Sequence, residues 1–145
     1  MKIVLNPAPM NKPVMSYPLK LVDIFILNEI EGADLTGKKG FEAVISEMKR
    51  KYPKALTIMT LGSKGAAYLE NGKIKFVPAV KVKPVDTTAA GDTFIGYFLA
   101  DIAKGTNISE AIALACRAAS ICVTRKGAAD SIPEICEVRR KFPKG

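Results

Sequence analysis

Short apolar runs alternate with helix-length segments along most of this 145-residue sequence, and the alternation narrows the possible folds. Residues 3–5, 21–27 and 56–60 are apolar runs of strand length, and each leads into a loop or a helix, so we predict buried strands there. Residues 41–48 place apolar side chains three or four positions apart, which predicts an amphipathic helix lying against a sheet. Alternation of this kind is typical of an α/β fold with a mostly parallel sheet.

A hairpin is predicted near the middle of the chain. The dipeptide Asn71-Gly72 separates two strand-like segments, residues 66–70 and 73–77. It favours a tight two-residue turn because both turn positions need a positive φ, which asparagine and glycine tolerate best. We therefore expect the parallel sheet to end in an edge hairpin.

Three helices are predicted in the second half of the chain. Residues 93–103 are mostly apolar and predict a buried helix. Ser109 is a good cap for an alanine-rich helix that reaches about Cys122, and Pro133 suits the first position of a terminal helix. No repeat or linker interrupts the sequence, so we predict a single domain over residues 1–145.

The composition is typical of a soluble globular protein. Hydrophobic residues make up 48% of the chain, which is enough to form a buried core, and charged residues make up 25%, which is enough to form a polar surface around it. The apolar runs, such as residues 24–27, are far shorter than the ~20 residues of a membrane-spanning helix. The first seven residues lack the apolar region and cleavage site of a signal peptide, so we expect a cytoplasmic protein.

The absence of histidine excludes several kinds of chemistry from these 145 residues, including histidine-based zinc motifs, histidine triads and imidazole acid–base catalysis. Proton transfer would have to use Asp, Glu, Lys, Tyr or Cys. Cys116, Cys122 and Cys136 do not have the spacing of a zinc site, and we expect them to be reduced thiols.

The formal net charge of +8 is compatible with binding to nucleic acid, an acidic membrane surface, or a charged small molecule such as a nucleotide. The basic residues are scattered, and no aromatic residues lie between them as a stacking surface for single strands would require. We therefore predict neither nucleic acid nor a membrane as a partner. The competing nucleic-acid hypothesis predicts a steeply salt-dependent affinity for DNA.

The segment most informative about chemistry is residues 85–94 (VDTTAAGDTF), where small residues run into an apolar helix. Amide groups at a helix start are unpaired and bind anions, and small side chains let a phosphate approach the backbone closely. Asp92 at this place could act as a general base toward an attacking hydroxyl, while the amides stabilise the transferred phosphoryl group. The alternative is structural, with Asp92 capping the helix and Asp86 ending a strand.

Two further segments could contact phosphates or a metal ion. Residues 60–65 (TLGSKG) follow a strand and supply glycines, a hydroxyl and a lysine, although a tight turn before a hairpin would use the same residues. Asn28 and Glu31 lie three apart at a helix start, where they could hold a hydrated magnesium ion. The alternative is a capping box, in which Glu31 returns to the backbone of Asn28.

Taken together and in this order, these segments resemble successive landmarks of the PfkB carbohydrate-kinase family, in its ribokinase branch. The matching segments are residues 6–9 (NPAP), 28–31 (NEIE), 60–65 (TLGSKG), 86–94 (DTTAAGDTF) and 123–128 (VTRKGA). The resemblance covers essentially the whole chain. It implies a ribokinase-like three-layer α/β/α fold and ATP-dependent phosphorylation of the primary hydroxyl of a sugar, with ribose converted to ribose 5-phosphate as the expected reaction.

The resemblance also implies roles for particular residues. Asp92 would be the catalytic base, and the amides of Ala89, Ala90, Gly91 and Asp92 would form the anion hole. Glu31 would organise Mg²⁺ through water. The residues expected to contact ATP are Asn28, Thr60, Gly62, Ser63, Gly65 and Gly91.

A monovalent cation, usually potassium, is a further implied cofactor that orders the anion hole in this family. Its ligands would be the Asp86 carboxylate and the Ser131 hydroxyl, together with backbone carbonyl groups. Those carbonyls would belong to Thr88, Cys122, Arg125 and Gly127.

The resemblance also implies what the chain lacks. Family members carry an N-terminal half with a glycine-rich sugar-binding signature and a β-sheet lid, and neither is found in this sequence. We therefore expect one partial domain that binds ATP or ADP and is weakly active or inactive alone. Its expected partner is a second copy of itself or a missing N-terminal half. The alternative function is a non-catalytic module that binds a nucleotide or a protein partner.

Overall fold

The computed structural model describes residues 1–8 and 12–143, so Pro9 of the NPAP segment lies outside the described residues. Residues 1–62 and 66–76 form one compact unit. Its five strands lie side by side in chain order: β1 (Val4–Leu5), β2 (Ile24–Leu27), β3 (Leu56–Thr60), β4 (Gly65–Glu70) and β5 (Lys73–Pro78). Strands β1, β2 and β3 are parallel, and β4 runs antiparallel to β3.

Two helices pack in this unit, α1 (Glu29–Thr36) and α2 (Phe41–Lys51). Val44, Ile45 and Met48 of α2 are buried in a core that also contains residues of β2 and β3, as the apolar spacing predicts. Gly32 lets α1 lie close to this core, because a Cβ atom there would be 2.8 Å from Val44 Cγ1. The α/β class is therefore confirmed.

The hairpin forms at the predicted turn. Asn71 has a φ of 50° and Gly72 a φ of 75°, which are the positive values that a two-residue hairpin turn requires. Strand β5 is the outer strand, and its exposed Lys73, Lys75 and Pro78 discourage pairing with another chain. The sheet thus ends in an edge hairpin, as expected.

The second compact unit comprises residues 63–65 and residues from 77 onward. It contains the helices α3 (Ala90–Ile102), α4 (Ile108–Cys122) and α5 (Ile135–Lys141). Ala111, Ala115 and Ala118 of α4 are fully buried, since small side chains let neighbouring helices approach closely. Among the described residues, no helix is long and apolar enough to cross a bilayer.

Several predicted boundaries in the first unit shift by a few residues. The run at residues 21–27 becomes a strand only from Ile24, because Leu19–Leu21 form a short 3₁₀ turn. The run at residues 3–5 is a strand over Val4–Leu5. It is half-buried rather than buried, since β1 lies at the edge of the sheet opposite to β5.

In the second unit, the helix starts and caps differ from the prediction in three details. Helix α3 begins at Ala90, three residues before the predicted start, and only Thr93, Phe94 and Phe98 of its residues are buried. The cap of α4 is Asn107, whose side chain accepts a hydrogen bond from the Glu110 amide, so the choice of Ser109 was wrong. Helix α5 has Glu134 as its cap, which places Pro133 before the helix instead of at its first position.

Candidate functional site

Asn28 and Glu31 are locked together at the carboxyl end of β2. The Asn28 side chain accepts a hydrogen bond from the Glu31 amide at 2.8 Å. Glu31 in return accepts from the Asn28 amide at 2.9 Å and from the Asn28 side-chain nitrogen at 3.0 Å. The capping box is therefore formed, and Glu31 as a whole residue is 5% exposed.

Thr60 lies at the same edge of the sheet. Leu27 pairs with Met59 across the parallel strands, so Asn28, which follows β2, and Thr60, the last residue of β3, lie at the carboxyl ends of neighbouring strands. The Thr60 hydroxyl donates a 3.4 Å hydrogen bond to the Leu27 carbonyl. Ligands of open α/β sheets bind at this edge of parallel strands, which favours a contact role for both residues.

The glycines of residues 60–65 differ in what surrounds them. Gly62 is exposed with a φ of 55°, and a Cβ atom there would meet nothing within 4 Å. Gly65 is buried with a φ of 128°, and its Cβ atom would lie 2.1 Å from the Val77 carbonyl oxygen and 2.6 Å from the Ala79 nitrogen. Chain packing alone therefore explains Gly65, while Gly62 and the exposed Ser63 are accessible to a ligand.

The start of α3 has the amide arrangement that the sequence predicts, with one exception. Ala89 is the cap residue, and the Ala90 amide donates to the Thr87 carbonyl at 3.2 Å. The amides of Gly91 and Asp92 donate to no acceptor within residues 1–8 and 12–143, and both residues are exposed. Free amides at a helix start, where the dipole is positive, attract anions.

Asp92 extends from this first turn without an internal partner. Its carboxylate accepts no hydrogen bond from the described part of the chain, and the capping position belongs to Ala89 instead. The alternative interpretation of Asp92 as the helix cap is therefore wrong. An exposed carboxylate beside two free amides can accept a proton close to a bound anion.

A cleft of about 300 Å³ opens beside Asp92 within the second unit. Its walls come from α3, from Leu114 of α4 and from the residues around the start of α5. Sequence reasoning did not predict it, because its walls combine residues from three separate segments. The lining residues nearest Asp92 along α3 are Thr93, Gly96 and Tyr97, and the cleft as a whole has little polar surface.

Asp86 ties two of the predicted cation-site segments together. Its Oδ1 atom accepts from the Thr88 amide at 2.9 Å and from the Thr88 hydroxyl at 2.6 Å. Its Oδ2 atom accepts from the Gly127 amide at 3.2 Å. The hydrogen bonds from the Thr88 hydroxyl, the Thr88 amide and the Gly127 amide hold the pKa of the Asp86 carboxyl below its ordinary value.

Cys122 and Ser131 form a second, buried contact. The Cys122 sulfur lies 3.2 Å from the Ser131 hydroxyl oxygen, and that hydroxyl donates to the Ala128 carbonyl at 2.6 Å. The Cys122 carbonyl accepts the Arg125 amide at 3.0 Å. The structure thus brings Cys122 close to both Ser131 and Arg125, and the Cys122 carbonyl, one of the expected cation ligands, already accepts a hydrogen bond.

Glu137 is a residue that sequence reasoning missed. Its carboxylate accepts two hydrogen bonds from the Arg125 guanidinium, at 2.6 Å and 3.4 Å, and one from the Glu134 amide at 3.1 Å. The Arg125 guanidinium accordingly holds the pKa of the Glu137 carboxyl below its ordinary value. The spacing of Glu134 and Glu137 at a helix start was the signal that could have pointed to this acid.

Solved structures place the fold among the ribokinases. The chain superposes on the ribokinase of Thermotoga maritima with a TM-score of 0.82 and 32% identity, over 99% of this chain and 49% of that one. The ADP complex of Cryptococcus neoformans var. grubii ribokinase gives a TM-score of 0.86 and 32% identity, over 98% of this chain and 53% of that one. The ribokinase-like fold is therefore confirmed.

The family model for pfkB family carbohydrate kinases matches residues 1–135, and this chain belongs to that family. The ribokinase of Schizosaccharomyces pombe is 40% identical over 97% of this chain and 46% of its own length. The ribokinase of Lactococcus lactis is 35% identical over 97% of this chain and 45% of its own length. The chain thus spans somewhat less than half the length of these curated relatives.

Proposed function

We propose that this chain carries the nucleotide-binding and catalytic part of an ATP-dependent sugar kinase. The observation that carries the proposal is the first turn of α3, where the free amides of Gly91 and Asp92 stand beside an exposed carboxylate. Family membership indicates a carbohydrate as the acceptor. Ribose is the favoured sugar, because curated relatives with 40% and 35% identity are ribokinases.

In the proposed reaction, Asp92 takes the proton from the primary hydroxyl of the sugar as that oxygen attacks the γ-phosphorus of ATP. The bond from this phosphorus to the β,γ-bridging oxygen breaks, and ADP leaves. The Gly91 and Asp92 amides stabilise the charge on the transferred phosphoryl group. The Ala90 amide contributes less, since it already donates to Thr87, and Ala89 supplies the cap and a small side chain.

The nucleotide is proposed to contact Asn28, Thr60, Gly62, Ser63 and Gly91. Thr60 and Asn28 are supported by their place at the carboxyl edge of the parallel strands. Gly65 is proposed only to shape the loop, because its position is buried. Nucleotide use is also supported by relatives, since the ribokinase of Arabidopsis thaliana was solved with ribose and ATP.

Mg²⁺ is proposed to bind near Glu31 through water. Each Glu31 oxygen accepts one hydrogen bond from Asn28 and retains a lone pair for a water molecule, so the carboxylate fits an indirect role. Bound Mg²⁺ would neutralise charge on the ATP phosphates. The capping box keeps the carboxylate in place for that role.

The potassium site is proposed around Asp86 in the second unit. Its candidate ligands are all oxygen atoms, the donor type that K⁺ prefers: the Asp86 carboxylate, the Ser131 hydroxyl and carbonyls of Thr88, Cys122, Arg125 and Gly127. Asp86 already holds Thr88 and Gly127 near each other through their amides, which supports a shared site for these three residues. Bound K⁺ would supply positive charge that holds the turn before α3 in order.

The test is ribose-dependent ADP formation by this chain at high protein concentration, together with MgADP binding by calorimetry. We expect MgADP binding and slow turnover, with turnover lost in Asp92→Asn and kept in the control Asp101→Asn, which changes an aspartate of the same helix. Turnover that is lost in Asp92→Asn would exclude the alternative, a non-catalytic module. Binding without turnover would leave the reaction to a longer protein that contains this part, and failure of the wild-type chain to bind MgADP would reject the nucleotide-binding role.

A further inference from the structure

The Arg125–Glu137 ion pair fastens the loop of residues 123–127 to α5. The pair is bidentate, with side chains 36% and 30% exposed. Glu137 is itself anchored, because its Oε2 atom also accepts the Glu134 amide at the start of α5. Arg125 is therefore attached to α5 through a carboxylate with little freedom to move.

The same loop is tied to the turn before α3 on both sides of Arg125. On one side, the Val123 carbonyl accepts the Val85 amide at 2.7 Å and the Asp86 amide at 3.1 Å. On the other side, the Gly127 amide donates to the Asp86 carboxylate, which also holds Thr88. Displacement of Arg125 therefore strains contacts at both ends of residues 123–127.

We propose that Glu137 is a positioning residue for the turn before α3, which contains Asp86 and Thr88. Glu137 acts on this turn through Arg125, Gly127 and Asp86. This inference rests on the function proposed for that turn. The chain of contacts runs from the start of α5 to Thr88, the second residue before the helix begins. Glu137 touches neither a reacting atom nor a candidate cation ligand oxygen, so its effect is on the order of the turn.

The ordinary structural explanation is that the pair only anchors α5. The two explanations differ in where the effect of breaking the pair appears. A helix anchor affects residues 134–141, whereas a positioning residue also affects the amides of Thr88 and Gly127, which donate to Asp86. Thr88 lies 49 positions before Glu137 in the sequence and Gly127 lies 10 positions before it, so both amides are outside α5.

The experiment compares wild type with Glu137→Gln, which keeps the size of the side chain and removes its charge. Amide proton exchange is measured residue by residue by NMR, without nucleotide, in potassium chloride and in tetramethylammonium chloride of equal ionic strength. Glu110→Gln is the matched control, since Glu110 is exposed in the first turn of α4. Arg125→Lys keeps the positive charge but loses the bidentate geometry.

We expect exchange at the Thr88 and Gly127 amides to become about tenfold faster in Glu137→Gln, as local opening becomes easier. Arg125→Lys should give a smaller acceleration, Glu110→Gln none, and potassium should slow exchange at both amides. The charge-swapped pair Arg125→Glu with Glu137→Arg should recover much of the protection. Acceleration confined to residues 134–141 in Glu137→Gln and in Arg125→Lys would overturn the inference.

The outcome is separable from that of the proposed function. Exchange in the absence of nucleotide tests the positioning role, whereas MgADP binding by the wild-type chain tests the nucleotide site. A chain that binds no MgADP but shows the accelerated amides would contradict the kinase proposal and keep the mechanical connection. If wild type binds MgADP but amide exchange in Glu137→Gln is the same as in wild type, the kinase proposal is kept and the positioning role is contradicted.

Discussion

Gly65→Ala is expected to be among the most damaging small substitutions in this chain. The added Cβ atom would lie 2.1 Å from the Val77 carbonyl oxygen and 2.6 Å from the Ala79 nitrogen. Both neighbours are backbone atoms, which cannot rotate away as the end of a side chain can. The same backbone approach carries the 3.0 Å hydrogen bond from the Ala79 amide to the Lys64 carbonyl.

Three contributions determine how much Gly65→Ala lowers the free energy of unfolding. A φ of 128° is a glycine conformation, and forcing alanine into it costs about 1–3 kcal/mol. Separating the two backbone segments costs about 1–3 kcal/mol as overpacking, and losing the Lys64–Ala79 hydrogen bond costs about 1 kcal/mol. We therefore expect the free energy of unfolding to fall by about 3–7 kcal/mol, a large part of the stability of a small protein.

Gly62→Ala is the matched control in the same loop. Its φ of 55° is also positive, but its Cβ atom would meet nothing within 4 Å, so the cost is about 1 kcal/mol. The assay is urea unfolding followed by far-UV circular dichroism, since the chain has no tryptophan for fluorescence. Equal losses for the two variants, or a loss under about 1 kcal/mol for Gly65→Ala, would refute the packing argument.

Two further predictions concern side chains of the second unit. Cys136 is exposed while Cys116 and Cys122 are buried, and burial raises the pKa of the Cys116 thiol to about 11, so the native chain should react with one equivalent of a thiol reagent and the urea-unfolded chain with three. Rapid native labelling of a second cysteine would contradict this burial. The pKa of Asp86 is lowered by its hydrogen bonds, so its stabilisation is complete above the unfolded-state pKa and is lost as the pH falls through the folded-state pKa. The thermal midpoint should therefore fall more steeply below about pH 4 in wild type than in Asp86→Asn, and parallel curves would argue against it.

Features set by neighbouring residues in the sequence were predictable. Asn71-Gly72 determines its own turn, because the positive φ values are a property of those two residues. The Asn28–Glu31 capping box depends on a spacing of three within one helix start, and the structure forms it. The first turn of α3 was identified for the same reason, although Ala89 rather than Asp92 takes the capping position.

Features that join distant segments were not predictable from the sequence. The need for glycine at position 65 arises from residues 77–79, and the Gly127–Asp86 hydrogen bond spans 41 positions. Sequence patterns do not show which distant segments contact each other, because such contacts depend on the conformations of the loops that connect the segments. Asn107 and Ser109 are both good cap residues, so the residue types alone do not decide which of them is the cap of α4; in the structure it is Asn107.

The central claim is that the start of α3 binds the phosphates of ATP beside the Asp92 carboxylate. Its most direct test is calorimetric titration of MgATP into wild type, Asp92→Asn and the control Asp101→Asn. Because Asp92 would repel the phosphates, removing its charge should tighten MgATP binding about fivefold, while Asp101→Asn leaves it unchanged. Unchanged or weaker binding by Asp92→Asn, or an equal gain in the control, would contradict the account.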